Sequence, residues 1–178
     1  MVNRAYCGRR QGGFTPESLY MQLETTRFGT VDVDSESIIT FTQPILGFQE
    51  FRRYVLLPGP SESLTWLQST ESGELAFILV NPKKLMPDYT VELRSQELAE
   101  MAVTSAEELD VYTLVVVPDD QRKVRTNLRA PVLINTKHRL GKQTILEMSD
   151  YPIQYYLAQA QPDPGGSTRE ISNARSDS

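Results

Sequence analysis

The sequence predicts a mainly β protein, a compact antiparallel barrel or sandwich. Three observations predict it: apolar residues alternate in short runs between 21 and 157, Pro, Gly and Ser turns separate those runs at regular spacing, and only two short stretches carry helical signals. The strand–helix alternation of a parallel sheet is missing.

Taken in order, 23–28 and 30–33 read as half-buried strands around Gly29, and 38–41 runs into a turn marked by Pro44 and Gly47. The next strand, 54–57, stops at Pro58-Gly59-Pro60. Strands 64–68 and 75–80 flank Glu71-Ser72-Gly73-Glu74, a hairpin signal, and Trp66 is predicted to lie in the core. Ser95 is placed to cap a helix over 96–101, where Leu98 and Met101 fall three residues apart. Ser105-Ala106-Glu107-Glu108 matches a capping box, in which Ser and Glu each satisfy a backbone donor. Strand character returns at 111–117, 131–135 and 143–147, the last two joined around Leu140-Gly141-Lys142, and again at 153–157.

The 178 residues divide into three parts. Residues 1–20 and 158–178 hold turn formers and few large apolar side chains, a composition that cannot offset chain entropy, so both are predicted to be flexible around a folded 21–157 domain. Met21, directly before the first strand-like run, is a second candidate start. The first twenty residues lack an apolar stretch of signal-peptide length and the longest apolar run is 75–80, which predicts a cytoplasmic protein.

Composition argues against most site chemistry. The chain holds one His, His138, and one Cys, Cys7, too few for a zinc site built on those residues. A Ser-His-Asp or Cys-His nucleophile would depend on His138, which sits in a polar turn between Lys137 and Arg139 with no carboxylate nearby in sequence. Asp32-Val33-Asp34-Ser35-Glu36 opens like a calcium loop, but Ser37 and Gln43 stand where Gly and a bidentate Glu are required. Leu140-Gly141-Lys142-Gln143 resembles the end of a phosphate loop, yet Thr136 and Gln143 replace its first Gly and its hydroxyl. It reads as a hairpin turn, and Asp119-Asp120 as turn residues after Pro118. No catalytic, metal or cofactor-binding residue is assigned, and the chain is not expected to be an enzyme.

Charge is unevenly placed. Residues 21–120 carry 6 basic and 17 acidic side chains, whereas 121–157 carry 7 and 2. Arg122, Lys123, Arg125, Arg129, Lys137, Arg139 and Lys142, with Tyr112, Tyr151, Tyr155 and Tyr156 for stacking, would make a 122–142 basic hairpin, and an RNA-binding β-domain is the alternative reading. The net charge of −5 opposes it and favours a solvated hairpin that complements the acidic body or an acidic partner.

Several ordered motifs resemble one family. They are Thr26-Arg27-Phe28-Gly29, Ile38-Ile39-Thr40-Phe41 running into Pro44-Ile45-Leu46-Gly47-Phe48, Trp66-Leu67-Gln68-Ser69, and Leu75-Ala76-Phe77 with Asn81-Pro82. Pro87-Asp88-Tyr89 follows, then Asn127-Leu128-Arg129-Ala130-Pro131-Val132-Leu133-Ile134-Asn135 and Arg139-Leu140-Gly141-Lys142-Gln143. The set, spanning 21–157, resembles the flagellar assembly factor FliW family; Thr42-Gln43 and Ile45 depart from its pattern. The resemblance implies a small, strongly twisted antiparallel β-barrel-like domain with one or two short helices. It also implies a non-enzymatic function: binding flagellin, and binding the translational repressor CsrA away from its RNA face, so that flagellin secretion frees the factor to relieve repression of flagellin mRNA. Motif positions expected to serve partner binding are Gln68, Ser69, Asn81, Asp88, Asn127, Arg129, Asn135, Arg139 and Gln143. Each has a backbone-supporting role in a turn or hairpin as its alternative.

Overall fold

The computed structural model describes residues 19–160. The expectations for 1–18 and 161–178, Cys7 among them, lie outside the described residues. Eleven strands form: β1 (Tyr20–Thr25), β2 (Gly29–Asp34), β3 (Ile39–Phe41), β4 (Arg53–Pro58), β5 (Leu64–Ser69), β6 (Ala76–Val80), β7 (Asp110–Val116), β8 (Arg125–Thr126), β9 (Val132–Asn135), β10 (Leu140–Gln143) and β11 (Tyr155–Tyr156). The one α-helix among the described residues is α1 (Ser95–Glu100).

Seven strands close into a barrel in the order β7-β6-β5-β4-β3-β10-β9, with β9 pairing back onto β7. All its pairings are antiparallel except β3 with β10, where Thr40 and Phe41 lie beside Leu140 and Gly141. The second edge of β7 is forked: Asp110–Tyr112 pairs with β9, and Val115–Val116 with β8, which in turn carries β11.

Alternation decides which side chains fill the barrel. Ile39 and Phe41, Tyr54 and Leu56, Leu67, Phe77 and Leu79, Tyr112 and Leu114, and Val132 and Ile134 point inward and pack with Ile45. Each fully buried aliphatic side chain contributes about 1.5–3 kcal/mol. Phe41 meets Tyr54 edge-on at 5.0 Å, and Phe48 meets Phe77 at 4.8 Å. Burial, and then the charge of Glu71, push the Tyr54 hydroxyl up to about 12. The alternate residues face outward and are covered in two places. Val55 on β4 packs with Leu23 and Val33 of the β1–β2 hairpin. Leu133 packs with Met101 and Leu109 beneath α1.

Four expectations need correction. The strand placed at 143–147 ends at Gln143, and β10 begins at Leu140, so the hairpin turn is 136–139. Gly141 and Lys142 therefore lie within the strand and do not set the turn; Arg139 takes the positive φ there, 56°. Trp66 faces outward, since its neighbour Leu67 occupies the interior, and it is half-buried beneath the Arg27 guanidinium 4.6 Å away and against Phe28. The helix cap falls one residue earlier, at Arg94, whose backbone N–H donates to Glu97 Oε2 as half of a capping box. The Ser105 capping box forms, but over a single 3-10 turn.

Candidate functional site

Most of the nine motif positions hold the backbone. Gln68 is fully buried, and its amide nitrogen lies 3.0–3.1 Å from the carbonyl oxygens of Ser69, Ser72 and Leu75, tying the β5–β6 hairpin together. Buried Ser69 accepts from the N–H groups of Glu71 and Ser72 in the same hairpin. Asn81 caps a 3-10 turn through the Lys83 N–H. Asn135, also buried, donates to the Met101 carbonyl at the end of α1 and accepts from the His138 N–H. Gln143 bridges the Leu46 N–H and the Ala130 carbonyl. Asp88 is exposed in a loop, and Arg139 is exposed in the β9–β10 turn. Gln68, Ser69 and Asn135 thus present no surface to a partner in this conformation.

Asn127 and Arg129 instead shape a surface feature. Asn127 Oδ1 accepts from the Arg129 N–H, and the Arg129 guanidinium donates to the Tyr151 carbonyl at 3.1 Å. The Leu146 N–H reaches the Arg129 carbonyl and the Leu128 N–H reaches the Pro152 carbonyl, so the 144–152 segment is tied along 128–131. Tyr151 stacks on buried Tyr89 at 4.5 Å, and the Tyr89 hydroxyl donates to the Leu128 carbonyl. Between this segment and α1 lies an open groove of about 700 Å³. Leu93, Ile145, Leu146 and Met148 supply its apolar surface; Glu92, Glu147 and Asp150 supply an acidic rim. Met148 is 98% exposed and Ile145 52%.

The wall on the α1 side is fixed by a clamp the sequence reading missed. Lys142 points outward from β10 yet is only 6% exposed, because α1 covers it. Its Nζ lies 2.7 Å from Glu100 and 3.6 Å from Glu97, and the Thr144 hydroxyl donates to Glu97 at 2.9 Å. Burial pushes the Glu97 carboxyl up, but bonds from the Arg94 N–H, Thr144 and the Arg94 side chain, with the charge of Lys142, outweigh it and hold it below the ordinary value. Glu100 is lowered by its bond to Lys142 and by that charge. The available signal was Glu97, Glu100 and Lys142 in sequence, but only the topology joins residues some forty positions apart.

The basic residues do not gather on one hairpin. Arg122, Lys123 and Arg125 adjoin the Val116 end of β7, while Lys137 and Arg139 lie beyond its Asp110 end, six residues or about 20 Å along the strand. Lys142 and Arg129 are engaged internally, and Arg122 pairs with Asp120 at 3.1 Å. Tyr112 belongs to the barrel interior and Tyr151 to the groove wall. Among the described residues no three His, Cys, Asp or Glu side chains are placed to hold a metal ion, and no helix is long and apolar enough to cross a membrane.

These features define a small closed-barrel protein that carries an open groove of mixed apolar and acidic lining on its surface. The family model for the FliW protein matches residues 22–157, the whole barrel and all but the first two residues of its outer hairpin. A flagellar assembly factor FliW of Caldicellulosiruptor saccharolyticus is 38% identical over 130 residues, 73% of this chain and 86% of that protein. One from Natranaerobius thermophilus is 39% identical over 139 residues, 77% of this chain and 92% of its own length. The crystal structure of a flagellar assembly factor FliW superimposes with a TM-score of 0.72 at 29% identity, covering 82% of this chain and all of that one. The chain belongs to the FliW family.

Proposed function

We propose that this protein is a flagellar assembly factor that binds flagellin and, when flagellin is depleted by secretion, binds CsrA in the cytoplasm and relieves its repression of flagellin mRNA. The observation that carries this reading is the family match across the barrel, residues 22–157. The surface agrees in kind: an open groove with exposed Ile145 and Met148 suits recognition of another protein by buried apolar contacts and complementary charge. Binding is assigned to the 21–157 domain rather than to 1–20 or 158–178. Asp88 and Arg139, exposed although one Arg139 N–H donates to the Glu36 carbonyl, are the motif positions placed to make contacts directly; Asn127 and Arg129 act through the segment they hold.

The test uses the purified full chain, flagellin and CsrA from the same bacterium. Stoichiometric binding to each, release of a CsrA-repressed flagellin reporter on adding the protein, and restored repression on adding flagellin are expected. Binding to neither partner at micromolar concentration sinks the proposal.

A further inference from the structure

A second face of the barrel is apolar and open. Leu67, Leu79 and Leu114 point inward, so the alternate residues Trp66 on β5, Ile78 on β6 and Val115 on β7 point outward, and the strand register sets these three side by side. With Ala76 and Val117 they line an open recess of about 390 Å³ in which Arg27, from the β1–β2 turn, is the only charged side chain. Trp66, Ile78 and Val115 are half-buried and Val117 is 56% exposed. This face is separate from the groove, since α1 lies over Leu133 of β9 and Lys142 of β10.

Arg27 gives the recess its chemistry. The guanidinium stands over the Trp66 ring at 4.6 Å, and Phe28 packs edge-on against the same ring at 5.6 Å. Arg27 forms no ion pair among the described residues. Every other arginine there engages a carboxylate or carbonyl oxygen of the chain. A cation–π contact holds the charge in place without spending the N–H donors whose fork matches a carboxylate. An unspent cation is thus fixed beside an apolar floor, and Trp and Arg are the residue types enriched where partner proteins bind most strongly.

Charge and polarity narrow the occupant. Residues 21–120 hold 6 basic and 17 acidic side chains, so one cation in this surface can receive a single carboxylate. A nucleic acid or an anionic lipid surface needs several cations together. The strands are paired on both sides here, Trp66 with Leu57 and Ile78, and Val115 with Ile78 and Thr126, so the face offers side chains and no backbone edge. We infer that this recess binds a segment of a partner protein that carries an Asp or Glu between apolar side chains, the carboxylate on Arg27 and the apolar groups on Trp66, Ile78 and Val117. This goes beyond the proposed function and does not rest on it.

Trp66 is the only tryptophan of the chain, so its fluorescence reads the recess directly. Random peptides displayed on phage are selected on the immobilised full-length protein, and the enriched peptides are synthesised and titrated into it. At least one enriched family with Asp or Glu flanked by Leu, Ile or Phe is expected to shift the Trp66 emission to the blue. Arg27→Gln and Val117→Asp, both at exposed positions, are each expected to weaken that family at least tenfold, and Arg27→Lys to weaken it less than Arg27→Gln. Enrichment of no peptide that both shifts Trp66 and depends on Arg27 overturns the inference, and so does a Trp66-shifting family that lacks a carboxylate. A Trp66 shift produced by raising the protein's own concentration, and abolished by Arg27→Gln, would assign the recess to a second copy and overturn it as well. Flagellin and CsrA binding to the wild type is measured separately: its failure sinks the functional reading and leaves the peptides to decide the recess.

Discussion

A Cβ placed on Gly141 would lie 2.4 Å from Cε2 and 2.5 Å from Cδ2 of Phe41, whose ring is itself buried in the barrel interior. Neither ring nor strand can yield, because β3 and β10 are hydrogen-bonded neighbours at this register. Gly141→Ala is therefore expected to destabilise the protein by about 3 kcal/mol through overpacking, read as a lower urea midpoint with an unchanged slope. An unaltered midpoint would contradict it. The residue was visible in the sequence only as a turn signal: the pattern Leu-Gly-Lys-Gln reads as a turn, and the reason for its glycine, a ring contributed from a hundred positions away, cannot be read locally. The positive φ such a turn needs is taken by Arg139, a residue with no propensity for it.

α1 illustrates what an element's own sequence leaves open. Its short length and its docking residue Met101 were legible from spacing, as were the outer hairpin and the barrel strands between 23 and 80. Which face of α1 meets the barrel depends on Lys142, whose charge makes it look like a surface residue. Isolated, a six-residue helix is marginal, so its position depends on tertiary contacts, here Met101 and the Lys142–Glu97–Glu100 clamp. Lys142→Met removes the buried cation that Glu97 and Glu100 share, leaving largely covered Glu97 with only the exposed Arg94, and is expected to destabilise by about 3 kcal/mol. The pH dependence has a definite sign. Glu97 and Glu100 are held below the ordinary glutamate value of 4.5, so the unfolded chain takes up their protons first as pH falls. Their contribution is complete above that value and is lost as pH drops through the folded values. Thermal midpoints measured from pH 6 to pH 3 should fall steeply below about 4.5 in the wild type, and the acid limb should flatten in Lys142→Met. Parallel limbs in the two proteins would remove the clamp from this account.

At the scale of the molecule, closure was what the sequence could not display. Alternation identifies strands and their inner faces, but the parallel β3–β10 pairing and the fork of β7 join residues far apart in sequence, and they decide barrel over sandwich. Closure also divides the molecule energetically. Seven strands share one interior, whereas the β1–β2 hairpin is attached mainly through Leu23, Val33 and Val55, with the Thr26 N–H bonded to the Gly73 carbonyl. Hydrogen exchange is expected to show β1–β2 opening at least tenfold more readily than β5, β6 and β9; equal rates would mean one cooperative unit. The same geometry bears on charge. A nucleic-acid strand is held by a continuous run of cations, and β7 puts about 20 Å between its two basic groups. Of the residues that the linear sequence gathers between 122 and 142, Lys142 is spent on α1 and Arg129 on Tyr151. The full chain is accordingly expected to show no salt-dependent RNA retention at micromolar concentration, and Arg125→Glu/Arg139→Glu to change nothing in that assay. RNA retained in low salt, released in high salt and lost in the double variant would restore the nucleic-acid reading, because only a surface joining both ends of β7 could behave that way.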